Sequence, residues 1–324
     1  MKKVLVTGGA GYIGSVLVRL LLKSGYKVRV LDNLRFGGEQ IIELLNENNF
    51  EFIKGDVRND EDVKKALAGI DYVAHLAAIV GDPACSKEPE LAKETNLEAS
   101  KRVYDLANEA GVEKFVFAST CSNYGKMPDP SQFVVETSEL KPISLYAETK
   151  VAVEKYLLNQ DANNDCKPTC LRFSTVYGIS PRMRFDLTVN DFTKELALGR
   201  TLKVFGEQFW RPYCHVVDLA RSIIEIFKSK ESQVAFNVFN VGNTDENYTK
   251  QMIVDEIKNQ LPDAKIEYVE KNEDPRDYRV SFDKIKKQLG FEITFTVPDG
   301  IKQLIKILKE GFIDNPDSQK YKNI

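Results

Sequence analysis

Tyr146 and Lys150 stand four residues apart in Tyr-Ala-Glu-Thr-Lys, at the start of a stretch that continues through Val151, Val153 and Leu157. On a helix that spacing puts a phenol and an ammonium on one face, one turn apart. A phenol titrates near ~10 and is a poor proton acceptor at neutral pH unless a cation stabilises the phenolate. Lys150 is such a cation, and its ammonium can also hold a ribose hydroxyl. Upstream, Ser119-Thr120-Cys121-Ser122-Asn123-Tyr124-Gly125 closes the apolar run Lys114–Ser119. The Thr120 hydroxyl can donate to a substrate oxygen. Tyrosine and lysine at this spacing occur on many solvated helix faces, so their meaning depends on the rest of the chain.

The rest of the chain begins with a phosphate cradle. Val4-Leu5-Val6 reads as a buried strand, Gly8-x-x-Gly11-x-x-Gly14 follows, and Ile13, Leu17, Leu20 and Leu21 recur at helical spacing. Strand, glycine turn and helix together bring backbone N–H groups and a bare helix N-terminus against a pyrophosphate. Lys27–Asp32 is a second strand, and its terminal acid lies 18 residues beyond Gly14. That is close to the ~20 residues expected for a carboxylate that takes ribose hydroxyls. NAD is the expected cofactor, because Asp32 repels a 2′-phosphate; Arg35 nearby leaves NADP as second choice.

The elements that must position these residues follow in order. A helix is expected near 39–48, a strand at Phe50–Lys54 ending in Gly55-Asp56-Val57, and a helix over 60–68. Tyr72–Ala78 reads as a fourth strand, with small residues at its end where backbone can approach a cofactor. His75 inside it reads as a core histidine. A long helical region is expected over 88–110, carrying Asn96. Alternating strands and helices imply an α/β, doubly wound parallel sheet.

The 324 residues suffice for such a core plus a smaller part. A net charge of −3 offers no field for nucleic acid or an anionic membrane, and no apolar run approaches ~18 residues. Five scattered cysteines (85, 121, 166, 170, 214), an odd number, read as reduced thiols of a cytoplasmic protein, with no metal set evident.

Taken together, the glycine turn, the Ser-Thr-Cys-Ser-Asn-Tyr-Gly segment and Tyr146-x-x-x-Lys150 resemble the extended short-chain dehydrogenase/reductase family, in its branch of NAD-dependent nucleotide-sugar epimerases and dehydratases. Leu171–Gly178 resembles the family's sixth strand, beside the nicotinamide, and Trp210–Asp218 the segment whose arginine, Arg211, grips the substrate diphosphate. The resemblance implies a Rossmann-type part over 1–178 and about 215–242, and a smaller α/β substrate-capping part over 179–214 and 243–324. Within these, Asp218–Lys228 and 298–311 are expected helices and Ala235–Val241 a strand, with the tail beyond Phe312 loose. It implies cofactor contacts at Tyr12, Ile13, Asn33, Asp56, Val57 and Asn96, and also at Leu76, Ala77, Ala78, Ser119 and Phe173. Substrate contacts are implied at Val80, Ser122, Asn123, Thr175, Arg182, Asn190, Arg211 and Arg276. A homodimer is a family expectation.

Departures from the pattern narrow the reaction. The dehydratases carry an Asp-Glu pair after the active threonine; here Cys121 and Ser122 stand there, so a general acid for a departing hydroxyl is missing. Cys121 is a candidate proton-transfer group or a small residue shaping the pocket. Thr175 replaces the family's usual asparagine. Val80–Cys85 and Ser180–Leu187, with Arg182 and Arg184, resemble a bacterial subgroup that oxidises C4 of nucleotide sugars for surface polysaccharides, including GDP-heptose 4-dehydrogenases. The implied activity is a 4-epimerase or 4-dehydrogenase acting on a nucleotide-diphosphate sugar. The alternatives are an NADPH-dependent 4-ketoreductase of a deoxysugar nucleotide and a non-catalytic Rossmann redox sensor.

Overall fold

Seven strands make the central sheet, and each runs parallel to its neighbours. The structure, a computed structural model, describes residues 1–127, 129, 132–270 and 276–323. The strands in chain order are β1 (Lys3–Thr7), β2 (Lys27–Asp32), β3 (Phe50–Lys54), β4 (Tyr72–His75), β5 (Lys114–Thr120), β6 (Lys167–Phe173), β7 (Thr175–Tyr177), β8 (Thr201–Phe205), β9 (Trp210–His215), β10 (Asn237–Val241), β11 (Asn247–Thr249) and β12 (Lys265–Val269). The central order is β10-β6-β5-β4-β1-β2-β3. It reverses between β1 and β4, and such a switch point opens a crevice at the carboxyl ends of the strands.

Side-chain alternation builds two cores from one sheet. Val4, Val6, Val28 and Val30 face α1 (Tyr12–Lys23), with Val116 and Leu171 on the same face. Leu5, Leu31, Val73, Phe115 and Phe117 face the other way, toward α2 (Asp60–Leu67). Further helices are α3 (Asp82–Lys87), α4 (Pro89–Lys93), α5 (Ala99–Glu109), α6 (Leu145–Leu158), α7 (Thr188–Ala197), α8 (Val216–Lys228), α9 (Glu231–Val234), α10 (Lys250–Gln260), α11 (Asp283–Leu289) and α12 (Val297–Lys309). The segment at 39–46 is a 3-10 helix.

A smaller layer carries β11-β9-β7 and β12-β8 around a third core that includes Tyr213, Ile253, Ile257, Ile301 and Leu304. The fold is therefore a Rossmann-type parallel sheet with a second α/β layer over it.

Several sequence expectations differ from the structure, among them the fourth strand, which ends at His75 rather than Ala78. The 88–110 region is not one helix: Pro89 lacks an N–H and starts a new helix, and a π-turn over Glu94–Glu98 interrupts the rest. The run Leu171–Gly178 is two strands, because the chain leaves the central sheet at Ser174, whose hydroxyl donates to the Val241 carbonyl. Tyr278, Val280, Phe282 and Phe291 pack into the core under α1 and α8, although they belong to the segment the sequence assigns to the capping part. The tail is tied down rather than loose. Asp317 pairs with Arg200 and Lys194, the Phe185 N–H donates to the Tyr321 carbonyl, and the Asn323 N–H donates to Asp186.

Candidate active site

The site forms where β1 and β4 part. Gly8 has φ +72°, and a Cβ there would stand 2.9 Å from the Ala77 nitrogen; a Cβ on Gly14 would run into the Gly8 carbonyl. Only bare glycine backbone lets this turn close. Helix α1 has Gly11 before its first residue, with no side-chain cap and no acid in its first turn. Its N–H groups are thus open to an anion, with the helix dipole behind them. Asp32 lies beside the turn, held by N–H donors from Ala10 at 3.0 Å and Leu34 at 2.8 Å, and burial pushes its carboxyl up. Arg35 is paired with Glu88 across the loop. Turn, uncapped helix and carboxylate fit a dinucleotide.

These features line a cavity of about 440 Å³. Gly8, Gly11, Tyr12, Ile13 and Gly14 form its floor, with Asp32, Asn33, Asp56 and Val57 along the β2–β3 side. Asp56 is held near 2 by the Arg58 guanidinium, and it also accepts from Asn33 at 3.1 Å. Leu76, Ala77, Ala78 and Val80 come from the loop after β4; Ser119, Thr120 and Ser122 from the end of β5. Tyr146 and Lys150 come from α6, Phe173 and Thr175 from the β6–β7 crossing, and Arg182 and Arg276 from the second layer.

Helix α6 presents Tyr146 because Ser144 caps it, accepting from Ala147 N–H at 3.3 Å while donating to Asp82 at 2.7 Å. The Lys150 Nζ donates to the Ala118 carbonyl at 2.8 Å and stands 5.9 Å from the Tyr146 ring centroid. Burial lowers the Lys150 ammonium to about 8 and pushes the Tyr146 phenol up. The Thr120 oxygen accepts from Ser122 N–H at 3.1 Å, which leaves its hydrogen to donate.

Five expected site residues are not part of the cavity lining. Cys121 points into the core, its thiol donating to the Arg172 carbonyl at 3.2 Å and pushed up by burial, so it is no proton donor to the cavity. Asn96 holds the Ile79 peptide through both its amide atoms, at 2.8 and 2.9 Å. Asn123 is buried and donates to Ser119 Oγ, whose own hydroxyl is turned toward Glu154. Asn190 braces the loop after β7, accepting from Gly178 N–H and donating to the Tyr12 hydroxyl and the Arg184 carbonyl. Arg211 sits over the Tyr278 ring at 5.3 Å and donates to the Trp210 carbonyl. Arg276 reaches the cavity while pairing with Asp82 at 3.0 Å.

Among the cavity residues not expected as site residues are Asp82, at the start of α3, and Asn323, from the tail. Gly81-Asp82-Pro83 is a helix-start pattern that could have drawn notice to the first; nothing in the polar tail marks the second.

The model of the NAD dependent epimerase/dehydratase family matches residues 4–242. The chain belongs to that family. A UDP-glucuronate 4-epimerase from Thermodesulfobacterium geofontis is 28% identical over 320 residues, covering 95% of this chain and 96% of the relative. A UDP-glucose 4-epimerase from Halalkalibacterium halodurans is 30% identical over 312 residues, covering 89% and 90%. Among solved structures, the UDP-glucuronic acid 4-epimerase from Bacillus cereus, in complex with UDP-glucuronic acid and NAD, superposes with a TM-score of 0.84 at 27% identity, covering 95% of this chain and 99% of that one. As a member of the epimerase/dehydratase family, the chain is an enzyme that uses NAD. Among the described residues no helix is long and apolar enough to cross a membrane.

Proposed function

We propose that this enzyme interconverts nucleotide sugars that differ in configuration at C4, through a 4-keto sugar. One observation carries the reading: Tyr146, Lys150 and Thr120 share a cavity wall on which no carboxylate follows the threonine. Bound NAD supplies the hydride acceptor. Tyr146 takes the proton of the C4 hydroxyl, Lys150 lowers the cost of the phenolate by its charge, and Thr120 donates to the same oxygen. Dehydration needs a proton donor to the leaving hydroxyl, and the Ser122 hydroxyl and the inward-turned Cys121 are not such donors. Relatives with 4-epimerase activity support hydride return rather than release of the keto sugar. Surface-polysaccharide synthesis is the proposed use of the product.

The test is to mix the purified enzyme with NAD and a panel of UDP-, dTDP-, CDP- and GDP-sugars, following sugar composition by chromatography and NADH by absorbance. Interconversion of one C4 pair without lasting absorbance is the expected result. Stoichiometric, persistent NADH with one sugar makes it a dehydrogenase, and loss of water at C5–C6 makes it a dehydratase. Either overturns the proposal.

A further inference from the structure

Among the described residues, Arg182 is a buried cation with no ion-pair partner. It follows β7, is 5% exposed, and stacks on Phe36 with its guanidinium carbon 4.2 Å from the ring centroid. Its Nη2 donates to the Lys322 carbonyl at 3.1 Å, while its Nε is buried with no hydrogen-bond partner. The adjacent acid, Asp186, is taken by Arg184 through two bonds of 2.7 and 2.9 Å. Burial accordingly pulls the Arg182 guanidinium down to about 10. Close by, Asn323 is anchored by its N–H to Asp186, and its side-chain oxygen is also buried without a partner. Both residues line the cavity. An unsatisfied donor and an unsatisfied acceptor in one wall describe a ligand that offers an anion and a hydroxyl.

Position identifies which ligand. The Ser180 hydroxyl, two residues before Arg182, donates to the Tyr12 carbonyl at 2.7 Å and meets Ser15 Oγ at 3.1 Å. The loop is thus pinned to the first turn of α1. Phe36, on which Arg182 lies, belongs to the loop that leaves Asp32. Arg182 therefore borders both the start of α1, through Ser180, and the loop that follows Asp32, through Phe36. Arg276, paired with Asp82 beside the Tyr146 end, stands elsewhere on the wall.

We propose that Arg182 clamps the diphosphate of NAD and that the Asn323 carbonyl takes an adjoining ribose hydroxyl, so that the C-terminal segment is part of the cofactor site. A planar guanidinium suits a diphosphate because it donates to two oxygens at once. The assignment moves Arg182 from the substrate, where the sequence resemblance put it, to the cofactor. It rests on NAD use alone and not on the C4 reaction.

Isothermal titration of the full chain with NAD, ADP-ribose and, separately, UDP, dTDP and GDP tests it. Arg182→Ala is expected to weaken NAD and ADP-ribose about 10- to 100-fold, the size of a lost charged hydrogen-bond pair, and to leave the nucleoside diphosphates unchanged. Asn323→Ala is expected to weaken both dinucleotide ligands about threefold to tenfold. If Arg182→Ala does not fold, Arg182→Lys, which keeps the charge and loses the fork, is expected to weaken NAD about tenfold. NAD affinity within twofold of wild type in the folded Arg182 variant overturns the proposal. So does a variant that keeps NAD and loses a nucleoside diphosphate.

Discussion

Replacing Lys150 by methionine tests the electrostatic part of the reaction. The Lys150 Nζ lies 5.9 Å from the Tyr146 ring centroid. At that separation, and an effective dielectric constant near ~20, two unit charges interact by about 3 kcal/mol. That is about two pH units on the phenol. The acid limb of log kcat/KM is therefore expected to move about two units upward in Lys150→Met, lowering the rate near pH 7 about 100-fold, with recovery as pH rises. The alkaline side carries a second signature. Burial holds Lys150 at about 8, so the wild-type rate is expected to fall above that pH as the ammonium deprotonates. The methionine variant has no such fall, and Lys150→Arg restores part of the neutral rate. The assay is a pH–rate profile from 5.5 to 10 at saturating NAD, with NAD affinity measured calorimetrically at each end. A rate reduced by one factor at every pH, with the limb unmoved, would refute the reasoning and leave the lysine a cofactor-holding residue only.

Three further predictions concern the scaffold. Arg172 and Glu154 form a buried ion pair, 4% and 2% exposed, so Glu154→Gln is expected to cost about 3–5 kcal/mol in urea unfolding; a loss below 1 kcal/mol contradicts the pair's role. His75 is buried between Thr7 and Ser100, and burial lowers it from 6.5 to about 3. Between those values the unfolded chain binds the proton and the folded one does not, so stability present above pH 6.5 is lost as pH falls, at up to about 1.4 kcal/mol per pH unit. Unfolding midpoints of His75→Gln from pH 4 to 7 are expected to show a flatter slope, and an unchanged slope sinks the assignment. Cys121→Ala is expected to leave kcat within about threefold, under 1 kcal/mol of barrier, because its thiol faces the Arg172 carbonyl; a loss of 100-fold or more returns the thiol to the chemistry.

Local signals in the chain determined the parallel sheet, the glycine turn, Asp32 and the Tyr146–Lys150 pair. Each is set by a short-range rule: two-residue alternation, positive φ, a strand-end acid, or one helical turn. The sequence also marked Cys121, Asn123 and Asn190 for the site, but type and position in the chain do not say which way a side chain turns. Tertiary packing decided that. Cys121 and Asn123 lie in a 3-10 turn that aims them at Arg172 and Ser119, and the Asn190 amide is spent bracing the loop that carries Arg184. The same holds for the tail, whose polar composition reads as unstructured. Asn323 reaches the cavity because Asp186, 137 residues away in the chain, accepts its N–H. Contacts over that separation leave no periodicity to read, so only the folded chain shows that its last residues border the site.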